Sequence, residues 1–166
     1  MQREAAKAII AGLRAAEVDV VATLPEGKLR QLVEEIRQYP EFTSVALSRE
    51  EEGVGVVTGA YLCGKRAVMV CMSAGVLTLP NALVTVSLSH ETPLPMIVGY
   101  SGGLSEQVWL HTIHGVYLEP VLRAMGIPFR ELSSLAETTD AVKEVVSWSY
   151  LARRPAALLL NRELLR

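Results

Sequence analysis

The sequence predicts an α/β fold, a mostly parallel six-stranded sheet with helices on both faces. Three observations carry that expectation. Segments of helical period alternate with short β-rich segments through all 166 residues. No Asn-Gly or Asp-Gly pair joins two strand-like runs, so no hairpin is signalled. Residues 67–72, A-V-M-V-C-M, form a near-continuous apolar run of the kind buried on both faces of a parallel sheet.

Residues 2–16 carry Ala5, Ala6, Ile9, Ile10 and Leu13 with charges between them, which is helical spacing. Residues 18–24 are short, apolar and β-branched, a buried strand that Pro25-Glu26-Gly27 stops. Leu29, Leu32, Val33 and Ile36 repeat the helical period up to Pro40, and residues 43–47 are the second strand. Ser48 is placed to cap the next helix, with Glu51 three residues on as in a capping box, and Gly64-Lys65 ends it. Ser73-Ala74-Gly75 follows the 67–72 strand and opens a helix to about residue 88. Residues 94–99 form the fourth strand, 100–114 read as a loop, and 116–125 as a helix. A strand at 129–132, a helix at 139–151 and a last strand at 156–160 complete the chain. No repeat or linker divides it, so residues 1–166 are expected to form a single domain.

Composition excludes several classes. Half the residues are hydrophobic, 16 are basic and 18 acidic, for a net charge of −2. A nucleic-acid-binding domain would show a basic stripe, and none is present. The apolar runs are short and broken, which argues against a membrane span, and the charged N-terminus lacks a signal core; the expected location is cytoplasmic. Cys63 and Cys71 read as reduced core thiols. The mean hydropathy of +0.28 is high for a monomer and hints at subunit contact.

In open parallel sheets ligands bind beyond the carboxyl ends of the strands. The loops there are residues 24–27, 48–52, 72–77 and 99–114. The most unusual stretch among them is Arg49-Glu50-Glu51-Glu52, which runs straight into an apolar segment punctuated by Gly53, Gly55 and Gly59. Two readings stand side by side: an acidic first turn complementing the helix dipole, or one carboxylate pointing into a site that the glycines let another surface approach. The usual phosphate signatures are missing: there is no G-x-x-x-x-G-K-[ST] string, and G-V-G at 53–55 neither follows a strand nor has a third glycine. Ser73 is not in a nucleophile elbow. His111 and His114, with only Glu106 and Glu119 nearby, are a surface pair rather than a metal site, so no metal ligand set is expected. With Asp19 and Asp140 as its only aspartates, the chain has little means of holding Mg²⁺ and a diphosphate by itself.

The strings R-E-E-E-G-V-G-V-V-T-G-A-Y-L-C-G-K (49–65), S-A-G-V-L-T-L-P-N-A-L (73–83), P-L-P-M-I-V-G (93–99) and A-M-G-I-P (124–128) resemble the pyrimidine-binding domain of thiamine-diphosphate enzymes. Among these the chain looks most like the α subunits of sulfopyruvate decarboxylases and the N-terminal halves of phosphonopyruvate decarboxylases. The resemblance implies that Glu51 is the catalytic carboxylate that meets a ring nitrogen of the cofactor, with a pKa raised by desolvation and by its acidic neighbours. It implies that Ser73, Ala74, Gly75 and Val76 touch the pyrimidine. It also implies that the loop with Pro25 and Glu26 closes over the substrate, a small 2-oxo acid, and that His111 contacts substrate or product. Glu50 and Glu52 are expected to point elsewhere. Thiamine diphosphate would be shared with a β subunit that binds the diphosphate and Mg²⁺, and pyrimidine domains would also self-associate. The chain departs from these decarboxylases at Met72 (usually Gln), at Leu77-Thr78 (Gly-Asn) and at Gly99-Tyr100-Ser101-Gly102 (Ser-Trp-Arg-Gly), which leaves the substrate open. An acetolactate-synthase-like carboligase subunit and a non-catalytic assembly subunit remain alternatives.

Overall fold

A computed structural model of the chain describes residues 1–24, 26–102, 106 and 108–165. The elements follow in the order α1 (Arg3–Ala15), β1 (Val20–Thr23), a 3₁₀ turn (Gly27–Leu29), α2 (Arg30–Ile36), β2 (Thr43–Ala46), α3 (Glu50–Leu62), β3 (Ala67–Met72), α4 (Ser73–Val76) and α5 (Pro80–Ala82). They continue with a π-helical turn (Leu83–Leu88), β4 (Leu94–Gly99), α6 (Trp109–Ala124), β5 (Phe129–Leu132), α7 (Thr138–Ala152), β6 (Pro155–Leu160) and α8 (Arg162–Leu165). The six strands make one sheet in the order β2-β1-β3-β4-β6-β5, every neighbouring pair parallel.

Side-chain alternation along the strands divides the core into two layers. Val21, Val68, Val70, Ile97 and Leu158 face α1, α2 and α7, where Ile9, Leu13, Leu32, Ile36 and Val142 bury. Ala22, Met69, Cys71, Met96, Val98 and Leu159 face α3, α4, the π turn and α6, where Val54, Val57, Val76, Leu83, Leu118 and Leu122 bury. The chain leaves β1 toward the first layer and β3 toward the second. Those adjacent strands therefore part in opposite directions, and a crevice opens at their carboxyl ends, the usual place for a ligand.

The structure corrects the expected elements in five places. α6 begins at Trp109, so 109–114 is helix and not loop. The misleading signal was Gly115, which looks like a breaker. Gly115 instead packs on the backbone of Gly102, whose φ of +121° only glycine adopts readily, and a Cβ on either residue would overlap the other. The helix expected at 73–88 is broken after Val76 and restarts at Pro80, which lacks an N–H for the turn before it. Glu52, not Glu51, serves as the capping carboxylate of α3: its Oε2 accepts from Ser48 N (2.9 Å) and Arg49 N (3.4 Å). Cys63 lies exposed just past α3, and only Cys71 is a core thiol, its ionisation pushed up by burial and by the nearby Glu50 carboxylate. The short helix α8 after the last strand was not foreseen; Asn161 Oδ1 accepts from Glu163 N and starts it (3.0 Å).

Candidate active site

Two clusters form at the carboxyl edge of the sheet. The first joins the start of α3 to the turn after β3. Three successive carboxylates there go three ways. Glu52 caps the helix. The side chain of Glu50 lies over Gly75, so closely that a Cβ at Gly75 would overlap its carboxyl group. Glu51 accepts from Arg49 Nη2 at 3.0 Å and keeps about a third of its side chain exposed (32%). Its pKa is lowered, first by its own backbone N–H at the helix start, then by Arg49, with the Thr78 hydroxyl a smaller cause. The expectation of a raised pKa is thus not met in this chain. The backbone dipoles and the guanidinium outweigh desolvation, because nothing covers the carboxylate.

The turn after β3 is tightly built. Ser73 is 1% exposed, Gly75 is buried under Glu50, and Val76 puts its side chain in the core. Ala74 stays partly open. Thr78 Oγ1 donates to Gly75 O at 2.8 Å and holds the turn, while Thr78 itself stays exposed.

The second cluster joins the turn after β1 to the start of α6. Glu26 Oε2 accepts from Lys28 N at 2.8 Å and caps the 3₁₀ turn. The Lys28 ammonium then reaches Ser101 Oγ (3.1 Å), Glu106 Oε2 (3.1 Å) and His111 Nδ1 (3.2 Å). Ser101 is 2% exposed and the Glu106 side chain 5%, whereas the Lys28 and His111 side chains each keep about a quarter of their surface (27%). The Gly102–Gly115 contact brings α6 close enough for His111 to join, and α6 also packs against α4. Pro25 falls outside the described residues.

The structure therefore brings Glu50 onto the Ser73–Val76 turn at Gly75, sets Glu51 beside Thr78 just past it, and links Glu26 to His111 through Lys28. Sequence reasoning missed Lys28 and Glu106, and its expectation that Glu50 points elsewhere fails, because the Glu50 side chain lies over Gly75 of the turn. The P-E-G-K string directly after a strand was the available signal for Lys28. For Glu50 the only hint was a glycine one strand later. Among the described residues, no group of three or more His, Cys, Asp or Glu is placed to hold a metal ion. No described helix is long and apolar enough to cross a membrane.

The donor set suits part of an aminopyrimidine cofactor. Glu51, neither capping its helix nor packed on Gly75, stands at the ligand edge and can accept from a protonated ring nitrogen. Among the described residues nothing comparable is in place for a diphosphate.

The sequence profile described as "Thiamine pyrophosphate enzyme, N-terminal TPP binding domain" matches residues 3–115. Sulfopyruvate decarboxylase subunit alpha of Methanothermobacter thermautotrophicus is 29% identical over 161 residues, covering 97% of this chain and 98% of that one. The subunit alpha of Methanocaldococcus jannaschii is 27% identical over 93% of this chain and 91% of its own length. A sulfopyruvate decarboxylase of Methanosarcina acetivorans is 26% identical over 87% of this chain, which corresponds to 36% of that protein. Among solved structures, a 2-oxoglutarate:ferredoxin oxidoreductase from Magnetococcus marinus superposes with a TM-score of 0.78. It covers 96% of this chain and 29% of its own, at 14% identity, and so speaks for the fold alone.

Proposed function

The chain belongs to the thiamine pyrophosphate enzymes through their N-terminal TPP binding domain, and on that premise we propose that it is the pyrimidine-binding subunit of a thiamine-diphosphate-dependent 2-oxo-acid decarboxylase. A separate β subunit holds the diphosphate and Mg²⁺, and the assembly works in the cytoplasm on sulfopyruvate or a related 2-oxo acid. The observation that carries this reading is Glu51, the carboxylate of the triplet that neither caps α3 nor packs on Gly75 and is held only by its own backbone N–H, Arg49 and Thr78. When bound, thiamine diphosphate supplies a nucleophilic carbon and an electron sink.

The chain's own part is positioning and proton transfer. With the cofactor bound, a Glu51 carboxylate oxygen would accept from a protonated pyrimidine nitrogen and would exchange that proton with it. The Ser73–Val76 backbone, stiffened by Thr78, gives that ring a flat support. Covering by the cofactor and partner would remove water from Glu51 and so oppose the lowering that its backbone N–H and Arg49 impose. The Lys28–His111 cluster sits where the 2-oxo acid enters.

A partner is also supported by surface. Trp109 (77% exposed), Ile113, Val116 and Tyr117 form an uncovered apolar face on α6. Gly55 and Gly59 on α3 have open space where their side chains would be, and Leu62 beside them is 74% exposed. We assign the α6 face to the β subunit and the α3 stripe to a second copy of this chain.

The test is reconstitution with the β subunit and assay of CO₂ and aldehyde from sulfopyruvate and other 2-oxo acids. Glu51→Gln should cut kcat by about 10²–10⁴-fold while the assembly still forms. A Glu51→Gln assembly with full turnover overturns the reading.

A further inference from the structure

The Lys28 ammonium has three N–H donors and no acceptor. Its three neighbours, Ser101 Oγ, Glu106 Oε2 and His111 Nδ1, come from one segment far from Lys28 in the chain and take all three. An ammonium can bond to Nδ1 only if that nitrogen presents its lone pair. The ring proton then sits on Nε2, which has no partner among the described residues. The charged groups facing the ring are Lys28 from the turn after β1 and Glu106 from the segment before α6. Glu106 Oε2 is 3.8 Å from Nδ1, beyond hydrogen-bond reach, and it binds the same ammonium. Lys28 thus stands between a carboxylate and an imidazole that would otherwise bond to each other.

We propose that Lys28 is a positioning residue: by bonding Ser101, Glu106 and His111 at once, it holds His111 Nδ1 as an acceptor, so that the Nε2–H is the donor offered to the 2-oxo acid's carboxylate or keto oxygen. The tautomer depends on this chain alone. The meeting with substrate rests on the decarboxylase reading, and the experiment separates the two. Ser101 is part of the device, because its buried hydroxyl anchors the ammonium from below and leaves the other two donors to choose Glu106 and His111. His114, one turn further along α6, makes no such contact and cannot substitute.

The full chain, labelled with ¹⁵N-histidine, gives three ring systems, and His111→Gln assigns the relevant one. Near pH 7.5 the wild-type ring should show a protonated Nε2 and an unprotonated Nδ1. Lys28→Met should move the proton to Nδ1, which then faces Glu106. Lys28→Arg, which keeps a donor, should retain the wild-type pattern and guards against a merely unfolded Met variant. A wild-type ring protonated at Nδ1, or a Lys28→Met ring unchanged from wild type, overturns the proposal. In the reconstituted enzyme Lys28→Met should raise KM for the 2-oxo acid about tenfold with a smaller change in kcat, the opposite split from Glu51→Gln. An unchanged KM with the expected spectra overturns the substrate contact and leaves the tautomer standing. If no 2-oxo acid is turned over by the wild type, the spectra still decide the role of Lys28.

Discussion

α1 and α6 cover opposite faces of one sheet, and they finish their outer surfaces differently. α1 sends Ile9, Ile10 and Leu13 into the core and shows Arg3, Glu4, Lys7 and Arg14 to water. α6 buries Leu118 and Leu122, yet it also exposes Trp109, Leu110, Ile113, Val116 and Tyr117. The glycines divide the same way. In α1, Gly12 is pressed against α7, where a Cβ would come within 2.6 Å of Val142 Cβ, whereas in α3 Gly55 and Gly59 face open space. Ion pairs such as Arg3–Glu35, Arg14–Glu41 and Arg30–Glu34 dress the α1 and α2 side. Leu151 and Trp148 on α7 are its exposed apolar exceptions. One layer is closed against solvent. The other ends in apolar surface and bare backbone, as a layer does when another chain completes it.

The largest break in this comparison is at the contact that seats α6. Gly102→Ala puts a side chain at φ +121° and drives it into the Gly115 backbone, which cannot move aside as a side chain would. Strain and overpacking together should cost about 3 kcal/mol. Urea unfolding measures the loss, and the Lys28–His111 contact should go with it.

A smaller effect separates surface from core. Ile113→Lys leaves the fold of the chain within about 0.5 kcal/mol of wild type, as exposed positions do. Affinity for the β subunit should fall about 30-fold, the size of an interface hot spot. Lys7→Ala on α1 should change neither. Equal affinity for the Ile113→Lys chain, by calorimetric titration, would mean that α6 does not carry the interface.

The layered sheet was legible because its signals are local. Period 3.6 in α1 and the apolar run of β3 need no partner to be read. Hydrophobic patterning could not distinguish the two outer surfaces, since a residue such as Ile113 contributes equally to a core or to an interface. The site was legible only in part. Glu51 and the Ser73–Val76 turn carry the strings that resemble known enzymes, yet it is Glu50 that meets Gly75 of that turn, while Glu51 reaches Thr78 just past it. Lys28, Ser101 and Glu106 lie 5 to 78 positions from one another in the chain and carry no shared pattern, so only the fold reveals their contact. The raised pKa expected of Glu51 failed for a related reason: acidic neighbours in sequence are not neighbours in space once Glu52 turns back to cap and Glu50 packs over Gly75.

The smallest effects come from a matched pair of arginines, one in each layer. Arg3 bonds Glu35 at 2.8 Å, and Glu35 is 3% exposed with Gln31 as its other side-chain partner. Arg3→Ala strips most of the pairing from a buried carboxylate and should cost about 1–2 kcal/mol. Arg49 pairs with Glu51 in the open, and Arg49→Ala should barely move the melting temperature at neutral pH. Its signature is in titration. Glu51 is held below the usual carboxylate range, so whatever it adds to stability is present above its unfolded pKa and is lost as pH falls through the lower folded value. Removing Arg49 takes away the second largest cause of that lowering and leaves the backbone N–H, so the Glu51 pKa should rise toward the ordinary value without reaching it. Carboxyl ¹³C shifts followed through the acid range measure this. A Glu51 that does not move when Arg49 is gone would show that the helix start alone holds it, and that the site can recruit Glu51 without first breaking an ion pair.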